Sequence, residues 1–292
     1  MSEQLKGAAG GFAGAIAGFS PSLVRVAARR RHPASGIVWL AEGVIVTADH
    51  VIEQEDEIRV GLDDGREVPA VLVGRDPATD VAALRIDVQL SPAIRAPEPR
   101  LGDLLVVAAR PGSAVEVSLG IVSATGSAST RRGARLDGYL RLDATLYPGF
   151  SGGGAVDSEG RVLGMATSLL GRGDAVALST ATVDRVVSSL VRHGRVRGAF
   201  LGVATQRVAI RGQAGFPSGH ALLVVGLEGD GPAEQAGLLV GDLITRVGDA
   251  AVDSAEALRL ALPPELIGAE VSVHVVRGGV PAALTVTIGE RP

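Results

Sequence analysis

The chain offers few reactive side chains to choose from. It contains no cysteine, five histidines and one lysine, Lys6, near its start. Thiolate catalysis and cysteine-type zinc sites are excluded, as is a Ser–Lys dyad or a Schiff-base lysine in the body of the chain. A nucleophile must be a hydroxyl or a carboxylate, and any nitrogen base must be a histidine. One serine stands in unusual company. Ser151 lies in PGFSGGGAV (148–156), where four of the nine residues are glycine. Such a stretch is either a slack loop or a backbone shaped around one hydroxyl. Of the histidines, His32 lies in a basic loop, His193 near a helix end, and His220 and His274 in the C-terminal third. His50 differs, because it ends the apolar run VIVTADHVI.

A histidine at a strand end is either a satisfied core residue or a poised base. As a base it needs a partner that holds its tautomer and stabilises the imidazolium that forms. GRDPATDVAALRI offers Asp76 and Asp80. Asp76 precedes Pro77 and reads as a turn residue. Asp80 abuts a fully apolar strand, where a buried carboxylate must be paired. His50, Asp80 and Ser151 together stand in the order His, Asp, Ser. That is the chymotrypsin-like order, distinct from those of subtilisin and the α/β-hydrolases. The glycines then acquire a role. In acyl transfer the oxyanion is held by backbone N–H groups. Gly149 and Ser151 are the expected donors, while Gly152 and Gly153 are expected to let the backbone pass close to the substrate.

These residues need a scaffold. A length of 292 residues suggests about two domains. The chain is 46% hydrophobic but only 3% aromatic, so Val, Leu, Ile and Ala must fill the core. With 40 glycines and 15 prolines scattered without a period, a turn-rich β protein fits. From Ser22 onward, short β-rich runs alternate with turns, among them DDG at 63–65. The proline-rich SPAIRAPEP (91–99) separates two blocks of such runs. His50 and Asp80 fall in the first block and Ser151 in the second, which places the site in a cleft between two β-barrels. TATVDRVVSSLVRHG then reads as a helix capped by Gly194. The C-terminal module shows further strands and two short helices, PAEQAG and DSAEALRLAL, the second opening with Asp253 and Glu256 as a capping-box variant.

TADHVI, DPATDVAALRI and LDATLYPGFSGGGAVDSEGRVLGMAT resemble the three signature blocks of the HtrA (Deg) serine proteases. GAFLGV and GPAEQAGLLVGDLITRVGDAAV resemble that family's PDZ domain. The resemblance implies a mostly β chain: a chymotrypsin-like double β-barrel followed by a small α/β PDZ domain. It divides into an N-terminal helical segment (1–20), a protease domain (21–194), a linker (195–199) and a PDZ domain (200–292). It implies ATP-independent cleavage of misfolded or unfolded proteins and trimer-based assembly. His50 would be the general base, Asp80 its orienter and Ser151 the nucleophile. Phe200, Leu201, Gly202 and Val203 would receive a peptide C-terminus, with the strand from Val203 as the edge for β-augmentation. Three positions depart from the family pattern: Phe150 for the usual Asn, Gly154 for the usual Pro, and Asp49 for a small or neutral residue. Phe150 and Gly154 bear on how the oxyanion loop settles.

Thr145 and Leu146 precede the serine loop, and Ala166, Thr167 and Ser168 are expected to form the edge for the substrate backbone. No acidic residue lies in 144–150, so a small or aliphatic P1 residue fits better than a cationic one. No cofactor or metal is called for. The net charge of −4 argues against nucleic-acid binding. No run approaches the roughly 20 apolar residues of a membrane span. The segment AAGGFAGAIAGF is a weak export signal, so a cytoplasmic location is expected, with a periplasmic or extracytoplasmic one as the alternative. Read instead as a helix, the segment puts Phe12, Ile16 and Phe19 on one face, for packing between protomers or within the chain. Two functions compete: an active endopeptidase, and a catalytically impaired binding or holdase protein.

Overall fold

The computed structural model describes residues 3–30, 32–130, 135–171, 173–210 and 219–291. The chain divides into two compact units, Met1–Val196 and Arg197–Pro292.

The first unit opens with helix α1 (Glu3–Phe19). Seven strands follow: β1 (Leu23–Ala27), β2 (Ala34–Leu40), β3 (Val44–Thr47), β4 (Arg59–Gly61), β5 (Glu67–Pro69), β6 (Val71–Asp76) and β7 (Val81–Arg85). They form one antiparallel sheet in the order β5-β4-β1-β2-β3-β7-β6. Every residue of β3 is buried, as are the first four of β7. That is why these two strands read as continuous apolar runs rather than alternating ones. The DDG turn joins β4 to β5, with Gly65 at φ +84° and the Leu62 N–H bonded to Arg66 O at 2.8 Å.

The second block comprises β8 (Leu104–Ala109), β9 (Glu116–Ser129), β10 (Arg135–Asp143), β11 (Gly154–Val156), β12 (Val162–Thr167) and β13 (Ala175–Ser179). These six close into a barrel in the order β10-β13-β12-β11-β8-β9. Helix α2 (Thr180–His193) starts at Ser179, whose hydroxyl accepts the Thr182 N–H, and stops at Gly194 in the left-handed conformation. Its Asp184 reaches back to the first sheet and accepts the Trp39 indole N–H at 2.7 Å. The Arg95 guanidinium stacks on the same indole, 4.1 Å from its centroid, so the proline-rich connector is pinned between sheet and helix.

Helix α1 packs within its own chain. Phe19 is buried, and Phe12 and Ile16 pack against the same core. A side chain at Gly154 would meet the Phe19 ring at 2.7 Å, and one at Gly160 would meet the Ala15 carbonyl at 2.6 Å. The helix therefore lies on β11 and its turn to β12. The space left open by glycine at 154 is filled by Phe19.

In the second unit the strands are β14 (Ala199–Phe200), β15 (Val203–Ile210), β16 (Gly219–Leu227), β17 (Leu243–Val247), β18 (Ala250–Ala251), β19 (Glu270–Arg277), β20 (Val280–Thr287) and β21 (Gly289–Glu290). The main sheet runs β15-β16-β17-β19-β20, with β18 on β17, and β14 pairs with β21. Helices α3 (Pro232–Gln235) and α4 (Ala255–Leu260) complete it. The cap of α4 is Ser254, whose hydroxyl accepts the Ala257 N–H, and not Asp253. The serine holds the extended conformation that a cap requires, one residue later than the D-x-x-E spacing suggests.

Candidate active site

His50 sits on a single helical turn, Asp49–Val51, directly after β3. Its backbone N–H donates to Asp80 Oδ1 at 2.9 Å. Its Nδ1 lies 3.0 Å from Asp80 Oδ1 and 2.9 Å from Oδ2. A carboxylate only accepts, so the ring proton belongs on Nδ1 and Nε2 is left as an acceptor. Asp80 is wholly buried, and the His50 side chain keeps 25% of its surface exposed. The Thr167 hydroxyl, also buried, donates to Asp80 Oδ2. Asp80 holds φ at +59°, a conformation Asp tolerates better than most residues. Its carbonyl accepts the Asp49 N–H at 3.2 Å, tying the two turns together. Asp76 is instead a turn residue, accepting the Ala78 N–H at 3.1 Å and the Thr79 hydroxyl at 2.6 Å.

The Asp49 carboxylate binds Arg75 Nε at 2.5 Å. Arg75 also donates to the carbonyls of Asp49 and Ile52, both at 3.3 Å, and so clamps the turn that carries His50. The hydrogen bond to Asp49 raises the guanidinium further above its ordinary value. Nothing at the sequence level singled out Arg75 for this task.

The serine loop begins with a tight turn in which the Phe150 N–H donates to Tyr147 O at 3.0 Å, with Gly149 at φ +87°. A Cβ at Gly149 would lie 2.5 Å from Pro111 Cβ, so only glycine fits. Phe150 is fully buried in the core of the second barrel and meets Tyr147 edge to face. This residue anchors the loop from beneath. The amides of Gly152 and Gly153 are taken by Ala166 O and Phe150 O, each at 2.9 Å. Those of Gly149 and Ser151 have no acceptor among the described residues.

Gly152 and Gly153 each allow a close approach within the protein. A Cβ at Gly152 would lie 2.0 Å from Ser35 O, and one at Gly153 2.4 Å from Ala108 O. These glycines bring the loop against β2 and β8.

Ser151 Oγ lies 3.1 Å from Ser168 Oγ and accepts the Ser168 N–H at 3.3 Å. Among the described residues it has no hydrogen bond to the His50 ring. Adjacent residues thus bridge the site: Thr167 to Asp80, and Ser168 to Ser151. Ala166 spends both backbone groups on the serine loop, donating to Gly153 O at 2.8 Å and accepting from Gly152. Ala166 and Thr167 are therefore frame, and Ser168 is the exposed one of the three. Thr145 is exposed, with its N–H on Ser118 Oγ at 3.1 Å, and Leu146 packs on the second-barrel core.

In the second unit Phe200 pairs with Gly289. Leu201 is buried, and its carbonyl accepts the Ala233 N–H at 2.9 Å. Gly202 has φ +78°, and its carbonyl accepts the Glu228 N–H at 2.9 Å. The N–H groups of Leu201 and Gly202 have no acceptor among the described residues. Val203 begins β15, which is the edge of its sheet.

A histidine–carboxylate pair in one β block, facing a glycine-shaped serine loop in a closed barrel, defines a trypsin-like fold, here followed by a PDZ module. Family models agree: a trypsin-like peptidase domain matches residues 34–165, and a PDZ domain matches residues 199–288. The chain belongs to the HtrA-type, DegP-like serine endoprotease family. A probable periplasmic serine endoprotease, DegP-like, from Halomonas elongata is 32% identical over 277 residues, covering 90% of this chain and 57% of the relative. Its counterpart in Brucella suis is 32% identical over 271 residues, covering 88% of this chain and 52% of the relative. The chain thus spans little more than half the length of the curated relatives it matches. Among solved structures, the HtrA-type protease AlgW with a decapeptide superposes with a TM-score of 0.82 at 29% identity, covering 96% of this chain and 99% of that one. The serine endoprotease from Yersinia pestis gives 0.81 at 30%, covering 96% and 98%.

Proposed function

We propose that this chain is an ATP-independent serine endopeptidase that cuts unfolded or misfolded proteins, with Ser151 as nucleophile, His50 as general base and Asp80 as orienter. The observation that carries it is the serine loop itself. Gly149 and Ser151 are the residues of that loop whose amides have no acceptor among the described residues, and the adjacent Thr167 and Ser168 tie the loop to His50 and its buried partner Asp80.

In this reading Ser151 Oγ attacks the scissile carbonyl carbon while His50 Nε2 takes its proton. The Gly149 and Ser151 N–H groups bind the oxyanion. Asp80 stabilises the imidazolium. His50 then gives the proton to the leaving amine, which departs and leaves an acyl-enzyme. Water, deprotonated by His50, attacks the acyl carbon and releases the second product, returning the proton to Ser151. The reaction needs no metal or cofactor. The absence of acid in 144–150 suits a small or aliphatic P1 residue. The uncommitted amides of Leu201 and Gly202 and the free edge of β15 suit capture of a peptide C-terminus; the similar HtrA-type protease AlgW has been solved with a decapeptide and with a tripeptide. A trimer-based homo-oligomer is part of the same reading.

One observation favours a resting state that needs activation, or a holdase: Ser151 Oγ is bonded to Ser168 rather than to His50. A fluorophosphonate probe decides between the readings. It is expected to label the wild type, and Ser151→Ala to lose both labelling and casein cleavage. Cleavage persisting in pure Ser151→Ala would remove the assignment. A wild type that stays unlabelled, even with an unfolded substrate or a peptide bearing a free C-terminus, would favour the holdase.

A further inference from the structure

We infer that Ser35, on β2, is the positioning residue that shapes the oxyanion cradle. This deepens the endopeptidase reading and rests on it. Ser35 is fully buried, and each of its polar groups has a partner. Its hydroxyl donates to Gly149 O at 2.8 Å, and its backbone N–H donates to Ser151 O at 3.2 Å. Gly149 and Ser151 are the two loop residues whose own N–H groups are uncommitted. Ser35 therefore holds the carbonyl of each residue that is left with a donor to offer. Each carbonyl lies in the peptide plane on the C-terminal side of its residue, so Ser35 fixes the Gly149–Phe150 and Ser151–Gly152 planes. With the Phe150 carbonyl held by the Gly153 N–H at 2.9 Å, the plane that carries the Ser151 N–H is bracketed, and the plane that carries the Gly149 N–H is flanked by a fixed one.

Ser35 is itself held from two sides. Its carbonyl accepts the Thr47 hydroxyl at 2.7 Å. Its Oγ accepts the backbone N–H of Arg110 at 2.8 Å, which orients the hydroxyl hydrogen toward Gly149. Arg110 directly follows β8 of the closed barrel and is held in turn. Its buried guanidinium donates to Leu23 O at 2.9 Å, to Ser113 O at 3.1 Å and to the Ser20 hydroxyl at 2.7 Å, and pairs with Asp63. The geometry of the cradle is thus set by a hydroxyl on the opposite sheet, preorganised before substrate arrives.

The test uses the full chain and a fluorogenic peptide with an aliphatic P1 residue. Ser35→Ala is expected to lower kcat about ten- to a hundredfold with KM within twofold, because the cradle acts on the transition state. Binding of the matching peptide aldehyde, whose hemiacetal oxygen occupies the same cradle, should weaken by the same factor. Ser35→Cys keeps the shape with a slightly larger atom but weakens the donor, and should lose nearly as much. It also decides the matter if Ser35→Ala does not fold. An unchanged kcat in Ser35→Ala, a loss carried by KM alone, or wild-type kcat in Ser35→Cys would overturn the inference while leaving the endopeptidase reading intact. A wild type inert to the fluorophosphonate probe would overturn both.

Discussion

Ser151 rests against Ser168, and that contact has a measurable consequence. A neutral hydrogen bond contributes about 1 kcal/mol net, so breaking it to turn toward His50 costs about fivefold in the reactive population. Ser168→Ala is therefore expected to speed fluorophosphonate labelling about fivefold; slower labelling would mean that Ser168 assists the nucleophile. The sequence made His50, Asp80 and Ser151 legible because histidine is scarce and each of the three stands beside a buried strand or a glycine run. Phe150 and Gly154 were visible as departures, but not their roles. A buried Phe150 ring beneath the loop and a Phe19 ring over Gly154 are long-range contacts that local sequence does not encode. Ser35 carried no signal at all, since a serine in PASGIVWL looks like any strand residue.

At the level of elements, α1 is a brace for the serine loop. Phe19 fills the space at Gly154, three residues past the nucleophile, and the β11–β12 turn closes on Ala15. Phe19→Ala should destabilise the first unit by about 3 kcal/mol through the cavity it leaves. Urea denaturation measures this, and a change under 1 kcal/mol would show that the ring is dispensable. Most strands were readable from apolar runs and turns. β13 was not, because five residues after a Gly- and Asp-rich turn carry too little periodicity. Its place in the sequence of pairings is essential all the same, since it closes the barrel between β10 and β12.

On the scale of the whole molecule, each unit has its own core, and the second holds an ion pair with a buried carboxylate. Asp242 is buried and accepts both Nε and a terminal nitrogen of Arg277 at 2.8 Å, with the Leu239 N–H at 2.9 Å. The bonds from Arg277 hold its carboxyl below the ordinary carboxylate range. A carboxyl with a lowered folded pKa adds stability above its unfolded value, which is lost as pH falls through the folded one. Amide protection across 238–247, corrected for intrinsic exchange, is thus expected to hold above about pH 5 and fall below about pH 4. Arg277→Ala should lower that protection at neutral pH and flatten that dependence. Unchanged protection would show the pair to be incidental. In the first unit, the hydroxyl that shapes the serine loop lies 114 residues before the glycine it holds. During synthesis the amino-terminal sheet emerges first, carrying Ser35, His50 and Asp80 but not Ser151. The later half brings Ser151 on a loop that is unformed until the halves dock. In the endopeptidase reading, the site is therefore assembled only once both blocks of the first unit have folded, and a chain still lacking the second block holds an incomplete one.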